Sequence, residues 1–195
     1  MLRCSIIEKE GIMKKKIAVL FPGIGYTCDK PLLYYAGKLA MSKGYELVKV
    51  EYCNFPTGIK RNKEKMEKAF QCGLKQAEEI LRDICWEEYG DILFVSKSIG
   101  TVISSAFARQ YQIQVKNILF TPLQQTFLFA DGNGIVFHGT ADPWADTKNI
   151  IVGCEKVNLP LILTEKGNHS LETGNILKDL KNLEQTMEQV NKFII

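Results

Sequence analysis

The chain has 195 residues, 46% of them hydrophobic, 24% charged and 10% aromatic, which is the balance of an ordinary globular domain. A chain of this length buries roughly 70% of its unfolded surface, enough to build a core without disulfide or metal staples, so one domain spanning residues 1–195 is expected. The formal charge of +3 is scattered, and arginine occurs only at Arg3, Arg61, Arg82 and Arg109, which argues against a nucleic-acid partner.

At the N-terminus, Met1–Ile7 has the beginning of a signal peptide, but Glu8-Lys9-Glu10 interrupts it before an apolar stretch can form. No apolar run approaches the ~20 residues that span a bilayer. No membrane association is expected, and a cytoplasmic location is. The codons GAA-AAG-GAG-GGA-ATA for Glu8–Ile12 would contain a purine-rich ribosome-binding sequence just before Met13. Two readings stand: residues 1–12 are an upstream extension before a natural start at Met13, or they form a short N-terminal arm.

From Lys14 onward, short β-branched runs alternate with longer stretches of helical period. Strands are expected at Ile17–Phe21, Glu46–Tyr52, Asp91–Val95, Lys116–Phe120, Gly134–Phe137 and Pro160–Thr164. Runs such as Ile92-Leu93-Phe94-Val95 are apolar throughout, which fits strands covered on both faces. Between them, Asp29 is placed to cap a helix with Pro31 in its first turn. Met66, Phe70, Leu74, Ala77, Leu81 and Ile84 mark a long amphipathic helix, and Ile99–Tyr111 a third. Ile176, Leu180, Leu183, Met187, Val190 and Ile194 mark the last, packed by its apolar stripe. The alternation gives an α/β class with a six-stranded, mostly parallel sheet and helices on both faces. Leu123–Asn133 is short and irregular, with too little chain to insert a covering subdomain between two strands.

The sharpest chemical signal is Ser96-Lys97-Ser98-Ile99-Gly100, between a buried strand and a helix. A nucleophile on a tight strand-to-helix turn needs small residues two before and two after it. Ser96 and Gly100 meet that need around Ser98, whereas Phe94 would not around Ser96. Taken alone, Ser98 has a second role open to it as a helix cap. Asp142 follows the fifth strand in His138-Gly139-Thr140-Ala141-Asp142-Pro143-Trp144, and His169 follows the sixth in Gly167-Asn168-His169-Ser170-Leu171-Glu172. His138, at the end of a buried strand, reads as a structural histidine, and Asp146 competes with Asp142 for the acid role. The six cysteines show no metal-ligand spacing, and Gly23-Ile24-Gly25-Tyr26-Thr27-Cys28 places cysteine where a dinucleotide loop needs a small residue.

With Phe21-Pro22-Gly23-Ile24-Gly25 after the first strand, these motifs resemble the α/β-hydrolase family, and the chain is similar to small lidless members of the dienelactone-hydrolase-like branch. The order Ser98, Asp142, His169 is that family's order of nucleophile, acid and base. The resemblance implies an α/β-hydrolase fold without a lid domain and a Ser-His-Asp hydrolase of small-molecule esters or thioesters, with an acyl substrate as its only partner and neither organic cofactor nor metal. It implies an oxyanion hole from the backbone N–H groups of Ile24 and Ile99, with Pro22 standing where histidine is common. Gly25, Tyr26, Phe127 and Trp144 are then candidates to line the substrate pocket. The Asp142 carboxylate is expected to raise the His169 pKa. A non-catalytic binding protein on the same fold, or an acyltransferase, remains open at this stage.

Overall fold

The computed structural model describes residues 14–56, 58 and 62–195; the choice of start at Met13 lies outside the described residues. Its centre is a six-stranded sheet of β1 (Lys15–Phe21), β2 (Tyr45–Lys49), β3 (Tyr89–Lys97), β4 (Lys116–Phe120), β5 (Gly134–Gly139) and β6 (Leu161–Thr164). The strands lie in the order β2-β1-β3-β4-β5-β6, and all five pairings are parallel. Each strand falls where the apolar runs place it, although β2 stops before Val50 and β3 extends at both ends.

Alternate residues of the central strands face opposite helical layers. Ile17, Val19, Phe21, Ile92 and Phe94 pack against α2 (Lys63–Leu81) and α3 (Ile99–Gln110). Ala18, Leu20, Leu93, Val95, Ile118 and Phe120 pack against α1 (Pro31–Ser42) and α5 (Ile176–Ile194). α4 (Thr147–Lys156) lies on the same face as α2 and α3, where Ile150 and Cys154 cover Leu119 and Val136. Burial on both faces is why these strands carry no polar alternation.

The helix ends differ from what local chemistry predicts. Asp29 does not cap α1: Lys30 precedes Pro31 without a side-chain cap, and Asp29 pairs at 2.6 Å with Lys49 at the end of β2. α2 is capped by Asn62 and ends at Leu81, so Ile84 packs on the core from beyond the helix. Only the second half of the α5 stripe is core. Val190 and Ile194 are buried, but Ile176 and Leu180 are 77% and 58% exposed.

Because the strands are parallel, their C-terminal ends share one edge of the sheet. The chain steps from β1 outward to β2 and then back past β1 to β3, so the crevice between the β1 and β3 loops is a topological switch point, where such sheets take their ligands. Between β4 and β5 the chain makes one 3₁₀ turn, Gln124–Leu128, and no helical cap. Among the described residues no helix is long and apolar enough to cross a membrane.

Phe127 of that turn packs on Gly153 of α4, where an added Cβ would collide with the ring. Gly153→Ala therefore overpacks this corner and is expected to destabilise the fold by about 1–3 kcal/mol, read as a lower urea midpoint at unchanged slope. An unchanged midpoint would mean that the Phe127 ring is free to move aside.

Candidate active site

Ser98 sits between the last residue of β3 and the first of α3 with φ 57° and ψ −126°, a strained conformation for a residue with a Cβ. The strain is imposed by close backbone contact. A Cβ on Gly100 would come within 2.5 Å of the Pro22 carbonyl oxygen, and one on Gly23 within 3.0 Å of the Ser98 Cβ. The elbow is held by Ser98 N–H donating to the Phe120 carbonyl, and by Thr101 N–H and Oγ1 donating to the Ser98 carbonyl at 2.9 and 2.6 Å. Ser96 is fully buried and turns away, its hydroxyl 3.4 Å from the Ile118 carbonyl.

The loops after β5 and β6 bring the other two candidates to Ser98. His169 Nε2 lies 2.7 Å from Ser98 Oγ, and His169 Nδ1 lies 2.7 Å from Asp142 Oδ2. An ionised carboxylate only accepts, so the proton sits on Nδ1 and Nε2 is left to accept from the serine hydroxyl. The Asp142 side chain is wholly buried, and its other oxygen accepts the Trp144 N–H at 2.8 Å. Burial alone would raise its carboxyl, but the bonds from His169 and Trp144 bring it below the usual range, so it is ionised at neutral pH. For His169 the balance runs the other way. Burial and the nearby Lys97 ammonium outweigh the Asp142 bond, and the imidazole pKa lies below its ordinary value, not above it as the carboxylate alone would dictate.

The competing residues have other tasks. Asp146 caps α4 by accepting from the Lys148 and Asn149 N–H groups. His138 is fully buried with Nε2 3.1 Å from the Thr147 hydroxyl, and its Nδ1 stays 3.8 Å from Asp142. Thr121 carried no sequence signal beyond its place after β4, yet its hydroxyl donates to the His169 carbonyl at 3.0 Å and fixes the histidine loop. The thiol of Cys28 is buried and pushed up to about 12, which leaves it inert.

A cleft of about 450 Å³ opens over Ser98, lined by Ile24, Gly25, Tyr26, Trp144 and His169 among others. Gly23 and Tyr26 exchange backbone hydrogen bonds across a tight turn, which leaves the N–H groups of Ile24 and Gly25 at its tip beside the elbow. The Ile99 N–H is the first of α3 and has no intrahelical acceptor, and the positive end of the helix dipole lies with it. Trp144 stacks loosely on His169, with ring centroids 5.7 Å apart. Phe127 is not part of the cleft: it is 6% exposed and belongs to the core under α4, because Gly153 opens a slot for its ring. A second, apolar groove of about 680 Å³ shares Met66, Ile99 and Leu123 with the cleft and runs on past Phe70, Val102 and Phe129. The site is thus less bare than the absence of a lid implied, because α2 supplies a wall. Among the described residues no group of three or more His, Cys, Asp or Glu side chains is placed to hold a metal.

Lys97 carries the least signal in the sequence of any residue in the cleft. It is 1% exposed, lines the same cleft, and places Nζ 4.9 Å over the Tyr26 ring. Burial pulls its pKa down to about 7, with Lys30 acting in the same direction and Asp142 and Glu172 opposing.

No protein-family model matches the chain, and no curated protein sequence does. Solved structures match its shape. An alpha-beta serine hydrolase homologue from Coxiella burnetii aligns with 94% of this chain and 86% of its own, at a TM-score of 0.66 and 15% identity. A serine hydrolase without a lid from Xanthomonas campestris aligns over 93% and 85%, at 0.59 and 14%. Est1E from Butyrivibrio proteoclasticus aligns over 91% and 89%, at 0.61 and 11%. The chain has the α/β-hydrolase fold without a lid. Within that fold Ser98 occupies the strand-to-helix elbow, and the loops after β5 and β6 deliver Asp142 and His169 to it.

A buried, unbonded ammonium destabilises this α/β-hydrolase fold in a pH-dependent way. With a folded-state pKa near 7 against 10.5 for a free lysine, the cost is in full force below about pH 7 and vanishes as pH rises through 10.5. Lys97→Met is therefore expected to melt above wild type at about pH 6, with the gap narrowing toward about pH 10. A gap that is constant or widens with pH would show that Lys97 is not held unpaired.

Proposed function

We propose that the chain is a serine hydrolase of small-molecule esters or thioesters. The observation that carries this reading is the continuous bonding from Ser98 through His169 to Asp142, two contacts of 2.7 Å on an elbow strained to present the serine. Ser98 Oγ attacks the carbonyl carbon as His169 Nε2 takes its proton, and Asp142 holds the imidazole in the receptive tautomer and stabilises the imidazolium that forms. The negative charge on the carbonyl oxygen is met by the N–H groups of Ile24 and Ile99. His169 then returns the proton to the leaving oxygen or sulfur, and the acyl group stays on Ser98. Water, deprotonated by His169, attacks the acyl-enzyme, and His169 passes that proton to the departing Ser98 Oγ as the acid is released. Neither metal nor organic cofactor enters these steps.

Replacing Ser98 by Ala is expected to cut kcat/KM on an activated ester by roughly 10⁴-fold or more with no loss of fold, while Ser96→Ala changes it far less. Comparable losses in the two variants would refute Ser98 as the nucleophile. Since His169 must be neutral to accept the proton and its pKa lies below 6.5, kcat/KM should rise through a limb on the acid side of 6.5 and be level by neutrality. His138→Ala should keep that limb, and His169→Ala should lose turnover at every pH.

The groove beside the cleft sets acyl preference. A buried methylene contributes roughly 0.8 kcal/mol, about fourfold in kcat/KM when realised in the transition state. A hexanoyl ester is therefore expected to outperform the acetyl ester by an order of magnitude or more. The advantage should shrink in Phe70→Ala, whose ring borders the groove. A flat or falling profile would show that the acyl chain does not enter it.

A further inference from the structure

Asp142 and His169 each have a task beside Ser98, and Lys97 has none. Asp142 is committed to His169 and the Trp144 N–H. Among the described residues Lys97 Nζ meets no carboxylate and no hydrogen-bond acceptor; its neighbour is the face of Tyr26. A lysine placed only for packing would be better replaced by an apolar chain of the same length, since desolvating an ammonium without a counter-charge is costly. The groups that face it are Tyr26 and Lys30 from the β1 loop, Asp142 from the β5 loop, and His169 and Glu172 from the β6 loop. Lys30 lines the same cleft and holds its own Nζ 5.4 Å from the Tyr26 ring, so two cations flank one aromatic wall. Glu172 is exposed and acts on Lys97 only at long range.

We propose that Lys97 anchors a carboxylate on the substrate, so that the cleft selects esters or thioesters bearing a free acid group, such as half-esters of short dicarboxylic acids. This rests on the serine-hydrolase reading and narrows its substrate class. The bound carboxylate supplies the counter-charge the folded chain withholds, and Lys30 adds to the field at the cleft mouth. With its pKa drawn down to about 7, Lys97 is only partly protonated around neutrality, so a bound carboxylate also draws a proton onto it.

The test is calorimetric titration of the Ser98→Ala protein, which does not consume ligand, with monomethyl glutarate and with dimethyl glutarate at about pH 8. Repeating it in two buffers of different ionisation enthalpy yields the protons taken up. The monoester is expected to bind about tenfold or more tightly than the diester, the difference a charge-assisted hydrogen bond makes, and to take up a fraction of a proton. At that pH His169 lies too far above its own pKa to be the source. Preference and proton uptake should both disappear in Ser98→Ala/Lys97→Met. Equal binding of the two esters, no binding of the monoester, or a preference that survives loss of Lys97 would overturn the proposal. Should the double variant fail to fold, monoester binding without proton uptake overturns it in the single variant. Turnover by wild type separates the two claims. Hydrolysis of the diester with no monoester preference leaves the hydrolase and removes the anchor, whereas Lys97-dependent binding with no turnover of either ester leaves the anchor and removes the hydrolase.

Discussion

Two places where backbone meets backbone without room for a side chain organise the molecule. At one, Gly100 lies against the carbonyls of Phe21 and Pro22, so that α3 starts in contact with the end of β1. At the other, Gly139 lies against Gly167 and Asn168, where a Cβ would come within 2.5 Å of the Asn168 oxygen. The first contact bends Ser98 into its strained conformation and sets the Ile99 N–H beside the β1 loop. The second draws together the loops that carry Asp142 and His169, an approach reinforced by Ala141 N–H donating to the Gly167 carbonyl. Each glycine acts through the absence of a Cβ, and the site geometry follows from both.

The electrostatics of the cleft then follow from burial. Desolvation disfavours every charge there, but Asp142 is compensated by two hydrogen bonds and stays ionised, while His169 and Lys97 are pushed toward their neutral forms. The His169 imidazole is therefore neutral at physiological pH and able to accept a proton, and Lys97, with its pKa near 7, is partly neutral there. Lys97 is the last residue of β3, next to Ser98, and its charge also lowers the His169 pKa. The proposed carboxylate anchor and the imidazole of His169 are therefore coupled through one side chain.

Much of this was legible in the sequence. The apolar strands announce themselves because both faces of a parallel sheet are covered, so Ile92–Val95 could hardly be anything else, and small residues at 96 and 100 single out Ser98. What was not legible depends on long-range packing. Phe127 looked like a cleft aromatic because its loop lies at the correct edge, but the slot that takes it is made by Gly153, well along the chain. Ile176 and Leu180 carry the period of a buried stripe, yet α5 runs past the sheet before its second half lands on it. Asp29 had the type and position of a cap and was claimed by Lys49, which only the pairing of β2 with β1 brings near. The direction of the His169 shift is not legible in sequence, where a carboxylate partner is visible and desolvation is not. For the same reason Lys97 read as a spacer between two serines.

The central claim is that Ser98 is activated by His169 and Asp142. Covalent labelling tests it most directly: the protein is incubated with a fluorophosphonate and the adduct located by peptide mass mapping. The account predicts one adduct, on Ser98, whose rate of formation rises with pH through the deprotonation of His169 below 6.5 and is lost in His169→Ala. A folded protein that stays unlabelled at Ser98, or one labelled equally fast without His169, would contradict it.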